Sequence, residues 1–453
     1  MALSEIGTAD ISTDSSAFSH GRGVGRHYEL TCPACGAVFE DDGVLLDCPA
    51  NHPRALLNVR YRAQRLTLAE EAPGVFRYQS WLPIDKPGFS TARPAVYRGE
   101  ALSRELGLAE LWIAFHGYWP ERGATFETGT FKELEADTVL ARLPAGFRGV
   151  LTLASAGNTA AAFARACSRN SVPCLIVVPE SGLDALRFAG PLGPVVRVVA
   201  LSSPADYSDA IDLAGRICGQ PGFQPEGGVF NVARRGGLGT VILSALEAIG
   251  RMPDYYFQAI GSGAGAIAVH QAAERWIAGE PHGSRPPRQM LSQNLPFAPI
   301  HSAWQAASRE CPGIENDRAR RQISRMFANV LSTRTPPYSI RGGVYDILSA
   351  SAGDTIAVEN APARAAAQWF EAREGIDIDP ASAVAVASLR VAVREARIEP
   401  RKCLLLNITG GGRKRRLKEG RLPISKPDLR VPPGEMHSSQ LMRRILDLFD
   451  GKK

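Results

Sequence analysis

The sequence predicts an α/β fold built from parallel strands with covering helices, and three observations carry that expectation. Between 144 and 225, short apolar runs (149–154, 174–178, 195–200) alternate with helical stretches (159–168, 205–218) across brief connections, as parallel βαβ units require. The alternation resumes later, with apolar runs at 255–260 and 403–407 and helical stretches at 266–278, 361–373 and 382–396. Glycine-bearing turns directly follow three of the apolar runs, at 155–159, 261–265 and 407–412.

Composition sets the frame for the rest. A chain of 453 residues has room for two or three domains, and 45% hydrophobic with 22% charged residues is ordinary for a globular enzyme and wrong for a disordered chain. The net charge of +6 is modest, and its densest cluster, 413–418, reads as a solvated surface rather than a nucleic-acid site. Small anionic substrates suit such a protein. The eight cysteines are scattered, Cys167, Cys174 and Cys403 lying inside apolar runs, so no disulfide framework is expected. The polar start is no secretory signal and no apolar run reaches the ~18 residues of a membrane helix, so a cytoplasmic protein without membrane attachment is expected.

Taken in order, residues 1–26 read as a flexible tail, poor in apolar periodicity. A short strand from Tyr28 runs into a Cys-Pro-Ala-Cys-Gly turn holding Cys32 and Cys35, the opening half of a zinc knuckle. The second half offers Cys48 and His52 at an unusual spacing, so a metal-free ribbon is expected, with Cys32, Cys35 and Cys48 as the residues a metal would use. Turn-rich sequence follows to 137, with a strand at 111–115 that delivers His116 on a loop, a residue read as an ordinary hydrogen-bonding histidine or a catalytic one. The turn of Thr128, Gly129 and Thr130 places Lys132 at the first turn of a helix running to 142.

A glycine-rich turn between strand and helix offers unpaired backbone N–H groups and the positive end of the helix dipole, which together hold an anion. Gly261, Ser262, Gly263, Ala264 and Gly265 meet that description and read as a phosphate cradle. A dinucleotide fingerprint would want an acid at the end of the next strand, which instead ends Ser292, Gln293, Asn294, so NAD is not expected. Ser155, Ala156, Gly157, Asn158 and Thr159 form a smaller turn suited to a carboxylate, and Thr409 puts a hydroxyl at the end of a buried strand. A lysine amine, a phosphate cradle, a carboxylate cradle and a lone hydroxyl are what an enzyme using pyridoxal 5′-phosphate on an amino acid needs.

With Glu374 to Ala383 and the turn ending at Gly412, these stretches make the chain resemble the fold-type II pyridoxal-phosphate enzymes (tryptophan synthase β-like), in the threonine synthase-like branch. Longer words, at 115–124, 226–235, 256–263, 293–296 and 406–415, make it most similar to the cysteate synthase family, over about 28 to 416. The resemblance implies two open, mostly parallel sheets with flanking helices and a small zinc-ribbon-like knuckle. It implies a large cofactor-binding domain (57–143 and 226–420) and a small mobile substrate-binding domain (144–225), beside the knuckle at 27–56, while a C-terminal extension at 421–453 falls outside the resemblance. The implied reaction replaces the phosphate of O-phospho-L-serine by sulfite, giving L-cysteate. Rival readings are threonine synthase, another phosphoserine-dependent β-replacement, or a non-catalytic binding protein. Lys132 would hold the cofactor and move the α-proton, residues 261–265 would take its phosphate, and Thr409 its ring nitrogen. Ser155 to Thr159 would take the substrate carboxylate, with Asn158 also at the cofactor. Thr128, Thr130 and Arg235 are candidates for the leaving phosphate or incoming sulfite, Arg235 reading equally as structural. Glu127 puts an acid beside that oxyanion site. A homodimer or higher homo-oligomer is implied by the family alone.

Overall fold

Two parallel sheets dominate the computed structural model, which describes residues 26–279, 285–420 and 422–449. The tail expected at 1–26 thus lies outside the described residues except for Arg26. The larger sheet has six strands in the order Asp354–Val358, Arg288–Asn294, Tyr255–Ala259, Cys403–Ile408, Glu110–Phe115 and Ala95–Arg98. All neighbours are parallel except the last pair. Its central strands are buried along their whole length, which is why they read as unbroken apolar runs rather than alternating ones.

The smaller sheet is parallel throughout, in the order Phe223–Pro225, Val150–Ala154, Cys174–Pro179, Val196–Leu201 and Leu429–Val431. Its outer strand therefore comes from the segment expected to be an extension, and the helix Ser439–Asp447 buries Leu441 and Ile445 against the same sheet. The stretch 311–338 holds the short helix Asn316–Ile323 and a single turn at Asn329–Leu331.

Between the two sheets run the helices Lys132–Arg142, Asn158–Asn170 and Val232–Ile249. The first and last approach closely at Gly237, where an added Cβ would lie 2.1 Å from the Leu134 carbonyl oxygen. Only glycine admits that contact. The knuckle is a three-stranded antiparallel sheet (Tyr28–Thr31, Val38–Phe39, Asn58–Tyr61) that docks on the start of Val232–Ile249 through Leu30, Leu57 and Val232. A buried ion pair, Arg142 to Asp41 at 2.6 Å, ties it to the far end of the Lys132 helix.

Candidate active site

Three strands of the two sheets end at one place. Val150–Ala154 runs into Ser155, Tyr255–Ala259 into Gly261, and Cys403–Ile408 into Thr409, so the glycine turns sit beyond the carboxyl ends of their strands, where open α/β sheets bind ligands. Residues of all three turns line one cavity: Ser155, Ala156, Gly157, Asn158 and Thr159; Gly261, Ser262, Gly263, Ala264 and Gly265; and Thr409. Lys132 and Phe131 complete its wall, with Tyr207, Arg234 and Gln258.

The lysine turn is fastened to the Thr409 turn by backbone pairing. Phe131 N–H donates to Thr409 O at 2.9 Å, and Gly411 N–H to Gly129 O at 3.0 Å. Ser382, in the first turn of Pro380–Arg394, braces the same loop: its hydroxyl meets Thr409 Oγ1 at 3.3 Å, donates to Gly410 O and accepts from Gly410 N–H, both at 3.1 Å. The Thr409 hydroxyl is thereby held at the cavity wall.

Around Lys132 lies a run of charges of alternating sign. Lys132 Nζ is 3.1 Å from Glu135 Oε2, one helical turn on, and Glu135 Oε1 accepts from Arg234 at 2.8 Å and from the Thr159 hydroxyl at 2.9 Å. Arg234 in turn forms a two-pronged pair with Glu226. Burial lowers the Lys132 pKa from its ordinary value, against the Glu135 carboxylate, which raises it, while Arg234 adds to the lowering. Arg234 is pushed the other way, since its two carboxylates outweigh its burial. An amine with a lowered pKa beside a fixed proton acceptor suits a lysine that must be nucleophilic near neutral pH.

The small turn is set by Ser155, whose hydroxyl accepts from Gly157 N–H and Ala160 N–H, each at 3.0 Å, and so caps the helix Asn158–Asn170. At the phosphate-type turn, Gly263 has φ +82° and an added Cβ would lie 2.3 Å from Val344 Cγ2. Glycine is required there, and the turn opens the helix Ala264–Gly279, whose first N–H groups lack helical acceptors.

A second cavity of about 310 Å³ adjoins the first and shares Ala156, Asn158 and Val330 with it. Thr128 and Thr130 line it. The Thr128 hydroxyl is occupied by Glu133 at 2.7 Å, whereas Thr130 Oγ1 is buried with no hydrogen-bond partner among the described residues. Arg416 lines this cavity too and, alone in the run 413–416, makes no direct ion pair among the described residues, its hydrogen bond being to Arg187 O at 3.4 Å while Glu133 and Glu127 act on it from a distance. Glu127, which as an acid seemed to face the same place, is turned onto Arg165 at 2.5 Å and Arg169 at 3.4 Å and lines neither cavity.

Two expectations from the sequence are placed elsewhere. Arg235 hydrogen-bonds Val229 O and Leu57 O, meets Gln271 at 3.1 Å, and lines a separate cleft of about 600 Å³, away from the lysine cavity that its neighbour Arg234 lines. His116 is buried among Phe126 and Phe131, with Nδ1 3.1 Å from Ala114 O, and burial lowers its pKa to about 4. It is a core residue behind the lysine loop. Glu135, Arg234, Glu226, Ser382 and Arg416 were not singled out from the sequence. The i, i+3 spacing of Lys132 and Glu135 was the one available signal among them.

Residues 100–410 match the family described as "Pyridoxal-phosphate dependent enzyme". Curated relatives named cysteate synthase are similar along most of their length. The protein of Methanoculleus marisnigri is 48% identical over 410 residues, 90% of this chain and 94% of its own. That of Methanospirillum hungatei is 45% identical, covering 89% and 94%, and that of Methanosarcina barkeri 44%, covering 87% and 94%. Among solved structures, maize serine racemase aligns with a TM-score of 0.54 at 18% identity, over 70% of this chain and 89% of that one. Threonine deaminase isoform 2 of Solanum lycopersicum aligns with a TM-score of 0.55 at 15% identity, covering 79% and 96%. These two support the fold, that of the fold-type II pyridoxal-phosphate enzymes.

Proposed function

The chain belongs to the pyridoxal-phosphate dependent enzymes and, within them, to the cysteate synthase family, and from that premise we propose that it converts O-phospho-L-serine and sulfite to L-cysteate and phosphate. One C–O bond to the phosphate ester breaks at the β-carbon and one C–S bond forms there. The observation that carries the reading is the convergence of Lys132 with two anion-type turns and the Thr409 hydroxyl in a single cavity.

The residues fit pyridoxal 5′-phosphate. The cradle at 261–265 carries only small residues at the opening of the helix Ala264–Gly279, and Lys132 and Thr409 stand on the same cavity. We assign the phosphate to the N–H groups of Gly261 through Gly265, the ring nitrogen to the Thr409 hydroxyl, and the covalent attachment to Lys132 Nζ. When bound, the cofactor supplies an electron sink for the α-carbon. A hydroxyl rather than a carboxylate at the ring nitrogen leaves that nitrogen neutral, which favours elimination and replacement at the β-carbon.

Lys132 Nζ removes the α-proton and later returns it, with Glu135 and Arg234 setting its proton affinity. Within the turn Ser155 to Thr159, the backbone N–H groups of Ala156, Asn158 and Thr159 and the Asn158 amide receive the substrate carboxylate, Gly157 N–H being held by the Ser155 hydroxyl. Thr130, without a hydrogen-bond partner, and Arg416, without a direct ion pair among the described residues, receive the departing phosphate and the arriving sulfite in the adjoining cavity, with Thr128 beside them. The unit around the small sheet is proposed to move on binding, and a homodimer or higher homo-oligomer is proposed from the family. Among the described residues no helix is long and apolar enough to cross a membrane, and a cytoplasmic location is proposed.

Purified protein is incubated with O-phosphoserine plus sulfite, with sulfide, with neither, and separately with O-phosphohomoserine. Phosphate release accompanied by cysteate in the first mixture is expected; release from O-phosphohomoserine alone would replace the proposal with threonine synthesis.

A further inference from the structure

Nothing in the chemistry above uses the knuckle, yet its four sulfur and nitrogen side chains are gathered at one point. Cys32, Cys35, Cys48 and His52 each offer one ligand atom, and these atoms all lie within 4.8 Å of one another. Cys35 Sγ and Cys48 Sγ are 3.7 Å apart, and Cys32 Sγ and His52 Nε2 are 3.3 Å apart. For a tetrahedral zinc with bonds of about 2.3 Å to sulfur and about 2.0 Å to nitrogen, the ligand-to-ligand edges are about 3.5 to 3.8 Å. The Cys35–Cys48 edge falls in that range, the Cys32–His52 edge is about 0.2 Å short of it, and closing the rest of the set takes at most about 1 Å of movement.

The surroundings are arranged as a metal site needs. His52 Nδ1 is 2.7 Å from Pro53 O, so the proton sits on Nδ1 and the Nε2 lone pair faces the sulfurs. Cys32 N–H to Ala37 O (2.9 Å) and Gly36 N–H to Cys32 O (2.8 Å) close the first turn, with Gly36 at φ +76°. The knuckle's own core is small, which is the situation in which a metal supplies the missing folding energy.

We propose that Cys32, Cys35, Cys48 and His52 bind one structural Zn²⁺. Four protein ligands leave no open position for substrate, so the ion has no part in the reaction. Its work is to hold the loop between the second and third knuckle strands. That loop gives Leu45 O to Arg142 at 2.7 Å and packs Leu46 against Gly227, the neighbour of Glu226. The ion thus anchors both the far end of the Lys132 helix and the segment that orients Arg234.

The full-length holoenzyme, purified under reducing conditions, is assayed for metal by mass spectrometry and by mercurial-triggered release into a chromogenic chelator. About one zinc per chain is expected, lost in Cys35→Ser/Cys48→Ser and kept in Cys311→Ser. Because the double variant can fail to fold, the wild-type chain is also loaded with Co²⁺, where intense d–d bands and a thiolate-to-cobalt charge-transfer band are expected. Zinc-free wild type after incubation with Zn²⁺, zinc retained by the double variant, or bound cobalt without the charge-transfer band would each overturn the proposal.

Discussion

Glu135 stands between Lys132 and Arg234, one carboxylate oxygen 3.1 Å from the amine and the other 2.8 Å from the guanidinium. Since Arg234 is also held by Glu226, the carboxylate can be neutralised without stranding a buried arginine. Glu135→Gln removes the charge that raises the Lys132 pKa, so that pKa should fall further. The pH dependence of cofactor uptake by apoenzyme should move to lower pH, and kcat should drop about ten- to hundredfold with the visible band retained. An unmoved uptake profile would contradict the assignment.

Lys132→Ala should abolish both the borohydride-trapped adduct and turnover, a loss of at least about a thousandfold. A trapped adduct at another lysine, located by peptide mass mapping, would reassign the attachment site.

Thr130 Oγ1 is buried without a hydrogen-bond partner among the described residues, which costs the folded protein about 1 to 3 kcal/mol that a ligand can recover. Thr130→Val should therefore leave the thermal midpoint equal or higher while raising KM for O-phosphoserine about tenfold or more. Thr130→Ser should restore KM. A lower midpoint with unchanged KM would make the hydroxyl structural.

At Gly263 an added methyl meets Val344 Cγ2 at 2.3 Å, in a backbone conformation with φ +82°. Gly263→Ala should weaken cofactor binding about tenfold to a hundredfold in equilibrium dialysis, through about 1 to 3 kcal/mol of strain. Unchanged affinity would remove this turn from the phosphate site.

His116 carries a pH signature. Its pKa is about 4 against an ordinary 6.5, because burial disfavours the charged ring. The unfolded chain binds the proton first, so stability from this group is intact above about pH 6.5 and is lost as pH falls toward 4. His116→Gln should be less stable than wild type at pH 7, and that gap should shrink by roughly 2 to 3 kcal/mol at pH 4.5 in denaturant titrations.

The loops of the site were legible because each follows a strand with a buried centre, which writes itself as an apolar run leading to glycine. The choice between Arg234 and Arg235 was not. The helix Val232–Ile249 is buried nearly all round, so no apolar stripe fixes its phase, and adjacent positions point about 100° apart. Glu133, Glu135 and Asp137 look like a solvated helix in sequence and are buried only because two other helices close over them. Arg416 sits in a basic run whose neighbours do face outward, and only the fold turns it inward. The strand Leu429–Val431 is too short to register among polar neighbours.

That last strand also sets a timetable. Val196–Leu201 leaves the ribosome roughly 230 residues before the segment that pairs with its open side. Throughout that interval the nascent sheet shows a bare hydrogen-bonding rim, the kind of surface on which chains stick to one another. Cover arrives only when synthesis is nearly over. Termination between Arg416 and Leu429 would leave the catalytic loops complete in sequence and the product prone to precipitate.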